Sequence, residues 1–164
     1  MVAQGRLKVR YAALGPSGRY YLQFTDGTAE WVGPPTFTHA VQECATTVKR
    51  VAFGPSDGWF ILCKDGGAVW NNIPRRLHKQ VNKRANDNTN LADVSIGPKG
   101  EWFVIYEDGA WKVAGIPDTL AKQIDEIHAS GGKVKHISFG AYDSWFVRYY
   151  DQDKETLLAQ SNWP

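Results

Sequence analysis

Apolar and polar positions follow a clear order around Gly97. Between Leu91 and Gly97 apolar residues alternate with polar ones, which predicts a strand with one buried face. The run from Glu101 to Glu107 is almost wholly aromatic and aliphatic, which predicts a second strand that is covered on both faces. Asp108-Gly109 predicts a hairpin turn, because such turns need positive φ, and a third strand is expected from Ala110 to Ile116.

The period of the apolar residues changes after Pro117. Leu120, Ile124 and Ile127 fall on one face of a helix predicted for residues 118–129, with Asp118 as its N-cap. Gly131-Gly132 is expected to end this helix. One structural unit is therefore three strands followed by a short helix.

The same unit occurs four times along the 164 residues. A glycine ends the first strand of each copy, and a spacing of about 40 residues between such markers is typical of repeat architectures. These glycines are Gly15, Gly54, Gly97 and Gly140. We predict a single domain with repeats at 8–46, 47–90, 91–132 and 133–164. Further helices are expected at 37–44 and 75–84, a polar loop at 85–90, and the last strand at 156–160.

Each predicted second strand begins with two adjacent aromatic residues. The pairs are Tyr20-Tyr21, Trp59-Phe60, Trp102-Phe103 and Trp145-Phe146. Neighbouring residues of a strand point to opposite faces. We therefore expect one ring of each pair to pack on the preceding repeat and the other on the following repeat. We also expect the first and last strands of the chain to complete one another's sheet.

This pattern resembles the repeats of β-propellers. It is carried by Val94, Gly97, Trp102-Phe103, Asp108-Gly109 and Trp111, together with their counterparts in the other repeats. The blades to which it is similar are those of the regulator-of-chromosome-condensation type and of the tectonin and tachylectin sugar-binding propellers. The resemblance implies a mainly β, four-repeat, propeller-like domain with short helices, in which a helix stands where such blades usually carry a fourth strand.

Composition and motifs favour a binding protein over an enzyme. The formal net charge is +2, which gives little reason to expect a polyanionic partner. The sequence has no Gly-x-Ser-x-Gly motif, phosphate-binding glycine loop or Cys/His metal spacing. We therefore expect no enzymatic activity, no catalytic residues, no cofactor and no metal. Cys44 and Cys63 are expected to be reduced, and the absence of a signal peptide or membrane-length apolar run predicts a cytoplasmic, soluble protein.

Third-strand tryptophans are the leading candidate ligand site. Trp31, Trp70 and Trp111 lie on predicted edge strands, and Asn71 and Asn72 follow Trp70. Indole rings stack on the apolar faces of sugars, and repeated weak sites give avidity. The leading interpretation is therefore a multivalent, lectin-like carbohydrate-binding protein. The alternative for the same tryptophans is that they belong to the core between repeats.

The second interpretation is a protein–protein scaffold that uses the helices between repeats. One basic segment is a candidate partner site, and it comprises Arg75, Arg76, Lys79, Lys83 and Arg84. The alternative is the solvated face of a short helix. Nucleic acid is an unlikely partner because the equivalent helix of the third repeat carries Asp118, Asp125 and Glu126. Pairing with a second copy, to close an incomplete ring, stays open.

Overall fold

The computed structural model describes residues 7–44, 48–86 and 90–162, and the side chains of 84–86 also lie outside the description. Within these residues the strands are β1 Val9–Leu14, β2 Tyr20–Phe24, β3 Ala29–Val32, β4 Val48–Phe53, β5 Trp59–Cys63, β6 Ala68–Asn71, β7 Leu91–Ile96, β8 Trp102–Tyr106, β9 Trp111–Ala114, β10 Lys133–Phe139, β11 Trp145–Asp151 and β12 Lys154–Gln160. They form four antiparallel three-stranded sheets: sheet 1 (β1–β3), sheet 2 (β4–β6), sheet 3 (β7–β9) and sheet 4 (β10–β12). The predicted four repeats of three strands are confirmed.

Three helices connect the sheets: α1 Pro35–Cys44, α2 Arg75–Asn86 and α3 Asp118–Ala129. Helix α2 continues through residues 85 and 86, where a loop was expected. Asp118 is the first helical residue and not the N-cap, which is Pro117. A helix was expected in every repeat, but the described part of the fourth repeat contains only the 3-10 turn Ala141–Asp143. None of the helices in the described residues is long and apolar enough to cross a membrane.

The sheets pack face to face through three apolar clusters, each of which includes one helix. We call the face that carries the second aromatic residue of each pair the front face, and the opposite one the rear face. Trp59 packs in the cluster between sheets 1 and 2, whereas Phe60 packs in the cluster between sheets 2 and 3. Trp102 and Phe103 divide in the same way between the second and third clusters. The expected division of the aromatic pairs is therefore confirmed for the two middle sheets.

The two end sheets are covered on one face only. Tyr21 is fully buried on the front of sheet 1, and Trp145 is buried on the rear of sheet 4. Their neighbours Tyr20 and Phe146 are each only half-buried. The expectation that the first and last strands share a sheet is wrong, because β12 pairs with β11 along its whole length and, among the described strands, β1 pairs only with β2.

The four first strands border one central cavity of about 250 Å3. Its lining residues come from β1, β4, β7 and β10. Each of these strands has a register shift against its partner, and the residue after the shift is Tyr11, Arg50, Asp93 or His136. A bulge of this kind re-aims a side chain. Of these four residues, Tyr11 and His136 line the central cavity.

Candidate functional site

The candidate site is built from one position of the repeat. Tyr11, Arg50, Asp93 and His136 each stand four residues before the marker glycine of their repeat. The next position along the strand is apolar in every repeat, but this one carries a phenol, a guanidinium, a carboxylate and an imidazole. The fold thus gathers four different polar groups from equivalent places.

These four side chains are linked in the order of the repeats. Arg50 Cζ lies 5.3 Å from the centroid of the Tyr11 ring, and Arg50 Nε lies 3.6 Å from Asp93 Oδ1. Asp93 Oδ2 in turn lies 2.5 Å from His136 Nδ1. Each contact crosses from one sheet to the next. The centre is consequently held by a polar chain that spans all three sheet interfaces.

Tyr11 closes this chain against sheet 2. Its hydroxyl donates to the Val51 carbonyl oxygen at 3.0 Å and accepts from the Val51 N–H at 2.9 Å. Burial is the main cause that raises the pKa of Tyr11 far above its ordinary value. The phenol therefore stays protonated and keeps donating its hydrogen bond.

Asp93 organises the other end. It is only 5% exposed, and its Oδ1 also accepts from the Val94 N–H at 2.9 Å. The imidazole of His136 reaches from Asp93 to Ser138, whose Oγ lies 2.8 Å from His136 Nε2. Ser138 is exposed and borders the central cavity. A hydroxyl, an imidazole and a buried carboxylate are thus joined in one line.

A larger cavity of about 720 Å3 adjoins this polar chain. Five cationic side chains line it: Arg10, Lys49, Arg50, Lys64 and Arg148. The remaining lining residues are Tyr11, Ala12, Gln23, Val48, His136 and Phe146. Among the described residues no carboxylate lines this cavity, which we call the basic cavity.

The positive charge of the basic cavity is only partly compensated. Arg50 faces Asp93, Lys49 Nζ lies 4.0 Å from Glu107, and Arg148 Nε lies 3.5 Å from Glu155. That Arg148 Nε is buried and has no hydrogen-bond partner among the described residues. Within the same part of the chain, neither Arg10 nor Lys64 forms an ion pair. The cavity is therefore suited to anionic groups.

The three third-strand tryptophans lie away from the basic cavity, and each has one ring face covered. Trp31 stacks on Tyr21 with a centroid distance of 6.4 Å, and Trp70 on Phe60 at 5.8 Å. Trp111 stacks on Phe103 at 6.0 Å, and its indole N–H donates to His128. All three are half-buried against the cores, so carbohydrate binding through them stays a prediction.

The tryptophans also differ in their place within the sheets. Trp31 pairs with Tyr21 and Trp70 with Phe60, but Trp111 pairs with Ile105. Asn71 and Asn72 are exposed beside Trp70, and Asn72 donates to the Ser56 carbonyl oxygen at 2.8 Å. The three tryptophans predicted to form equivalent ligand sites therefore lie in three different environments.

The basic segment lies on α2 and not at the basic cavity. Arg75, Arg76, Lys79 and Lys83 are exposed, whereas Leu77 and Val81 of the same helix are buried in the second core cluster. Arg84 lies outside the residues whose side chains are described. Helix α2 therefore presents a charged outer face, and its use by a partner stays a prediction.

Sequence reasoning overlooked the central residues because none belongs to a linear motif. The available signal was the repeat itself, since aligning the marker glycines places Tyr11, Arg50, Asp93 and His136 at one position. Arg50 is also a cation of the basic cavity, and Arg10 and Lys49 share the repeat position directly before this one. Lys64 and Arg148 gave no such signal, because their positions carry no cation in the other repeats.

Comparison of the chain with protein-family models, curated proteins and solved structures gave no match. Among the described residues there is also no group of three or more His, Cys, Asp or Glu that could hold a metal ion.

Proposed function

We propose that the four sheets form a propeller-like arrangement around the central cavity and that the protein is a binding module for an anionic ligand. The observation that carries the proposal is the set of five cations around the basic cavity, with no carboxylate among its described lining residues. A concave, low-dielectric surface lined by one sign of charge concentrates ligands of the opposite sign.

The ligand we propose carries two or more phosphate or sulfate groups. The volume of about 720 Å3 falls within the range of about 300–1,000 Å3 that small-molecule sites occupy. Arg10, Arg50 and Arg148 offer planar guanidinium groups, which can bind two oxygens of a phosphate or sulfate group at once. The cations come from three sheets, so one small anion cannot contact them all. A glycan bearing sulfate or phosphate would combine this charge with the carbohydrate class predicted from sequence.

The test is calorimetric titration with sucrose octasulfate and inositol hexakisphosphate, with sucrose as the neutral control. We expect binding of at least one polyanion and none of sucrose. The sulfated and phosphorylated probes distinguish the two sources of negative charge. Failure of both polyanions to bind at millimolar concentration would refute the proposal.

A matched pair of variants separates the cavity from general charge. The double variant Arg10→Gln/Lys64→Gln removes two cavity cations that form no ion pair among the described residues. The control Arg76→Gln/Lys79→Gln removes the same charge from the exposed face of α2. We expect binding to be at least roughly 100-fold weaker for the first variant only, since charge-assisted hydrogen bonds are worth about 1.5–3 kcal/mol each and the variant removes two cations. Equal weakening in both variants would indicate non-specific attraction.

A second candidate function is acyl transfer by Ser138, favoured by the line from Ser138 through His136 to Asp93. In this reaction Ser138 Oγ attacks a carboxylic ester while His136 Nε2 takes the hydroxyl proton and returns it to the leaving alcohol. Water, deprotonated by the same imidazole, then releases the acid and restores Ser138. Asp93 holds the Nδ1–H tautomer that this requires.

This candidate is tested with a fluorophosphonate probe and mass spectrometry. An adduct at Ser138 that is lost in Ser138→Ala and Asp93→Asn, but kept in Ser144→Ala, would support acyl transfer. Ser144 is the control because its hydroxyl donates to the Ala141 carbonyl oxygen, away from His136. Absence of any adduct would refute acyl transfer by Ser138 and would have no bearing on the proposed anion binding.

A further inference from the structure

Each of the three sheet interfaces contains a helix wedged between two faces. At the first interface Phe37 of α1 is fully buried. Its ring centroid lies 6.5 Å from that of Tyr21 on the front of sheet 1, and 4.8 and 5.6 Å from those of Phe53 and Trp59 on the rear of sheet 2. The helix thus fills space that the two sheets do not close by themselves.

The same arrangement recurs with different residues. Helix α2 inserts Leu77 and Val81 between sheets 2 and 3, and α3 inserts Leu120, Ile124 and Ile127 between sheets 3 and 4. In every helix two apolar residues stand four positions apart, which places them on one face.

A polar contact fixes the start of two of these helices. The Trp59 indole N–H donates to Thr36 Oγ1 at 3.0 Å, and the Trp145 indole N–H donates to Thr119 Oγ1 at 3.2 Å. The acceptor is the second residue of α1 and of α3. A rear face therefore recognises both the apolar stripe of a helix and a hydroxyl at its first turn.

The same kinds of face lie uncovered on the two end sheets. The rear of sheet 1 exposes Leu14 at 78% and Val32 at 41%, on either side of Tyr20 in one cross-strand row. The position of Leu14, directly before the marker glycine, is held in sheet 2 by Phe53, which is 2% exposed. The difference is that sheet 2 is covered on this face by α1 and sheet 1.

The front of sheet 4 is uncovered in the same sense. Phe146 is half-buried, whereas its counterparts Phe60 and Phe103 are no more than 1% exposed. Its cross-strand partner Ala159 is exposed, and Leu157 is 59% exposed. Ala159 stands where sheets 1 and 2 place Trp31 and Trp70, so this face has room that theirs lack.

These two faces border the same space. Ala12 on the rear of sheet 1 and Phe146 on the front of sheet 4 both line the basic cavity. We call the surface formed by Leu14, Tyr20, Val32, Phe146, Leu157 and Ala159 the outer seam. No helix of the described residues lies in it. The outer seam thus resembles the three internal interfaces, except that it contains no helix of the described residues.

We propose that the outer seam binds an amphipathic α-helix of a partner protein, with apolar residues at i, i+4 and i+7 and acidic residues beside them. Continuity with the three internal interfaces supplies the apolar pattern, which α3 shows in Leu120, Ile124 and Ile127. Charge complementarity supplies the acidic flanks, since Arg10 lies at the inner end of the seam and forms no ion pair among the described residues. Arg148, opposite Leu157 on the neighbouring strand, is partly compensated by Glu155. Docking of a helix into an apolar groove is a known recognition mode.

The chain provides its own probe for this proposal. A fluorescein-labelled peptide of residues 117–132 carries the sequence of α3, including its hydroxyl at Thr119 and its acids Asp118, Asp125 and Glu126. We expect it to bind the whole protein with a dissociation constant of tens of micromolar, measured by anisotropy. A peptide with Leu120→Asp and Ile124→Asp is expected not to bind. The basic α2 peptide, residues 74–86, is expected to bind at least tenfold more weakly.

Three variants of the protein locate the binding. Leu14→Glu and Leu157→Glu place a charge on each side of the outer seam, and both positions are exposed enough to leave folding unchanged. Val69→Glu is the matched control, because Val69 is 45% exposed on an internal sheet. We expect each seam variant to weaken the α3 peptide at least tenfold and the control to leave it unchanged.

Three results would overturn the proposal. The first is absence of binding at 500 µM peptide, and the second is an equal loss of binding in the Val69→Glu control. The third is self-association of the protein, by light scattering, that Leu14→Glu and Leu157→Glu both abolish, because a second copy would then be the occupant.

Discussion

His136 Nδ1 lies 2.5 Å from Oδ2 of Asp93, and the two residues hold the same position in consecutive repeats. The contact joins sheet 3 to sheet 4 at the central cavity. Arg50, the equivalent residue of sheet 2, approaches the other oxygen of the same carboxylate. One buried carboxylate therefore ties three of the four sheets together.

Replacement of Asp93 by alanine should destabilise the fold. The change leaves Arg50 and His136 without their shared acceptor, and both are only about a quarter to a third exposed. We expect a loss of about 2–3 kcal/mol in urea denaturation. Glu126→Ala removes a carboxylate that pairs with Lys122 at the surface of α3, and its unfolding midpoint should hardly change. Similar midpoints for the two variants would contradict the role given to Asp93.

The equivalent residues Phe60 and Phe146 should differ sharply when each is replaced by alanine. Phe60 is completely buried between sheets 2 and 3, so Phe60→Ala should cost about 3–5 kcal/mol. Phe146 faces the outer seam and is half-buried, so the same change should cost less than half as much. Chemical denaturation measures both. Equal losses would mean that sheet 4 is covered on its front face.

The thiol of Cys44 should react slowly at neutral pH. Burial, followed by the neighbouring Cys63, raises the pKa of Cys44 to about 11. Because the thiolate is the nucleophile, alkylation by iodoacetamide should stay slow through pH 9 and accelerate as the pH approaches 11. Mass spectrometry of the Cys44 peptide against time gives the rate. Rapid labelling of Cys44 at pH 7 in the folded protein would contradict a half-buried thiol that stays protonated.

The carboxyl of Asp26 should titrate below its ordinary range. The Thr28 hydroxyl donates to Asp26 Oδ1 at 2.7 Å and the Thr28 N–H at 2.9 Å, and these bonds lower the pKa of Asp26. Because the pKa of Asp26 is lower in the folded state, its charged form stabilises the hairpin at every pH above the pKa of the unfolded state. This stabilisation is lost as the pH falls through the pKa of the folded state. NMR titration should show a higher pKa in Thr28→Val and little change in Thr28→Ser. An unchanged pKa in Thr28→Val would remove the hydroxyl as the main cause.

Local structure was predictable because each residue pattern reports its own neighbourhood. Asp65-Gly66 sits in a hairpin turn in which the Gly67 N–H donates to Asp65 Oδ1, and Gly66 adopts a positive φ of 88°. Trp102 and Phe103 were assigned to opposite faces by strand geometry alone, and both are buried where expected. Helix α3 follows its apolar period over the predicted residues, and only the assignment of Asp118 as its N-cap was wrong.

The basic cavity and the uncovered faces of the end sheets depend on contacts between residues that are far apart in sequence. Arg10, Lys64 and Arg148 are far apart in sequence, and only the packing of the sheets brings them around one cavity. Because the aromatic pair occurs in all four repeats, the sequence suggested that every sheet packs on both faces. Tyr20 and Phe146 are nevertheless only half-buried, because each end sheet packs against one neighbouring sheet. Periodicity encodes which face of a strand is apolar, since that depends on the backbone alone. What lies against the face depends on the arrangement of whole sheets, which no local pattern contains.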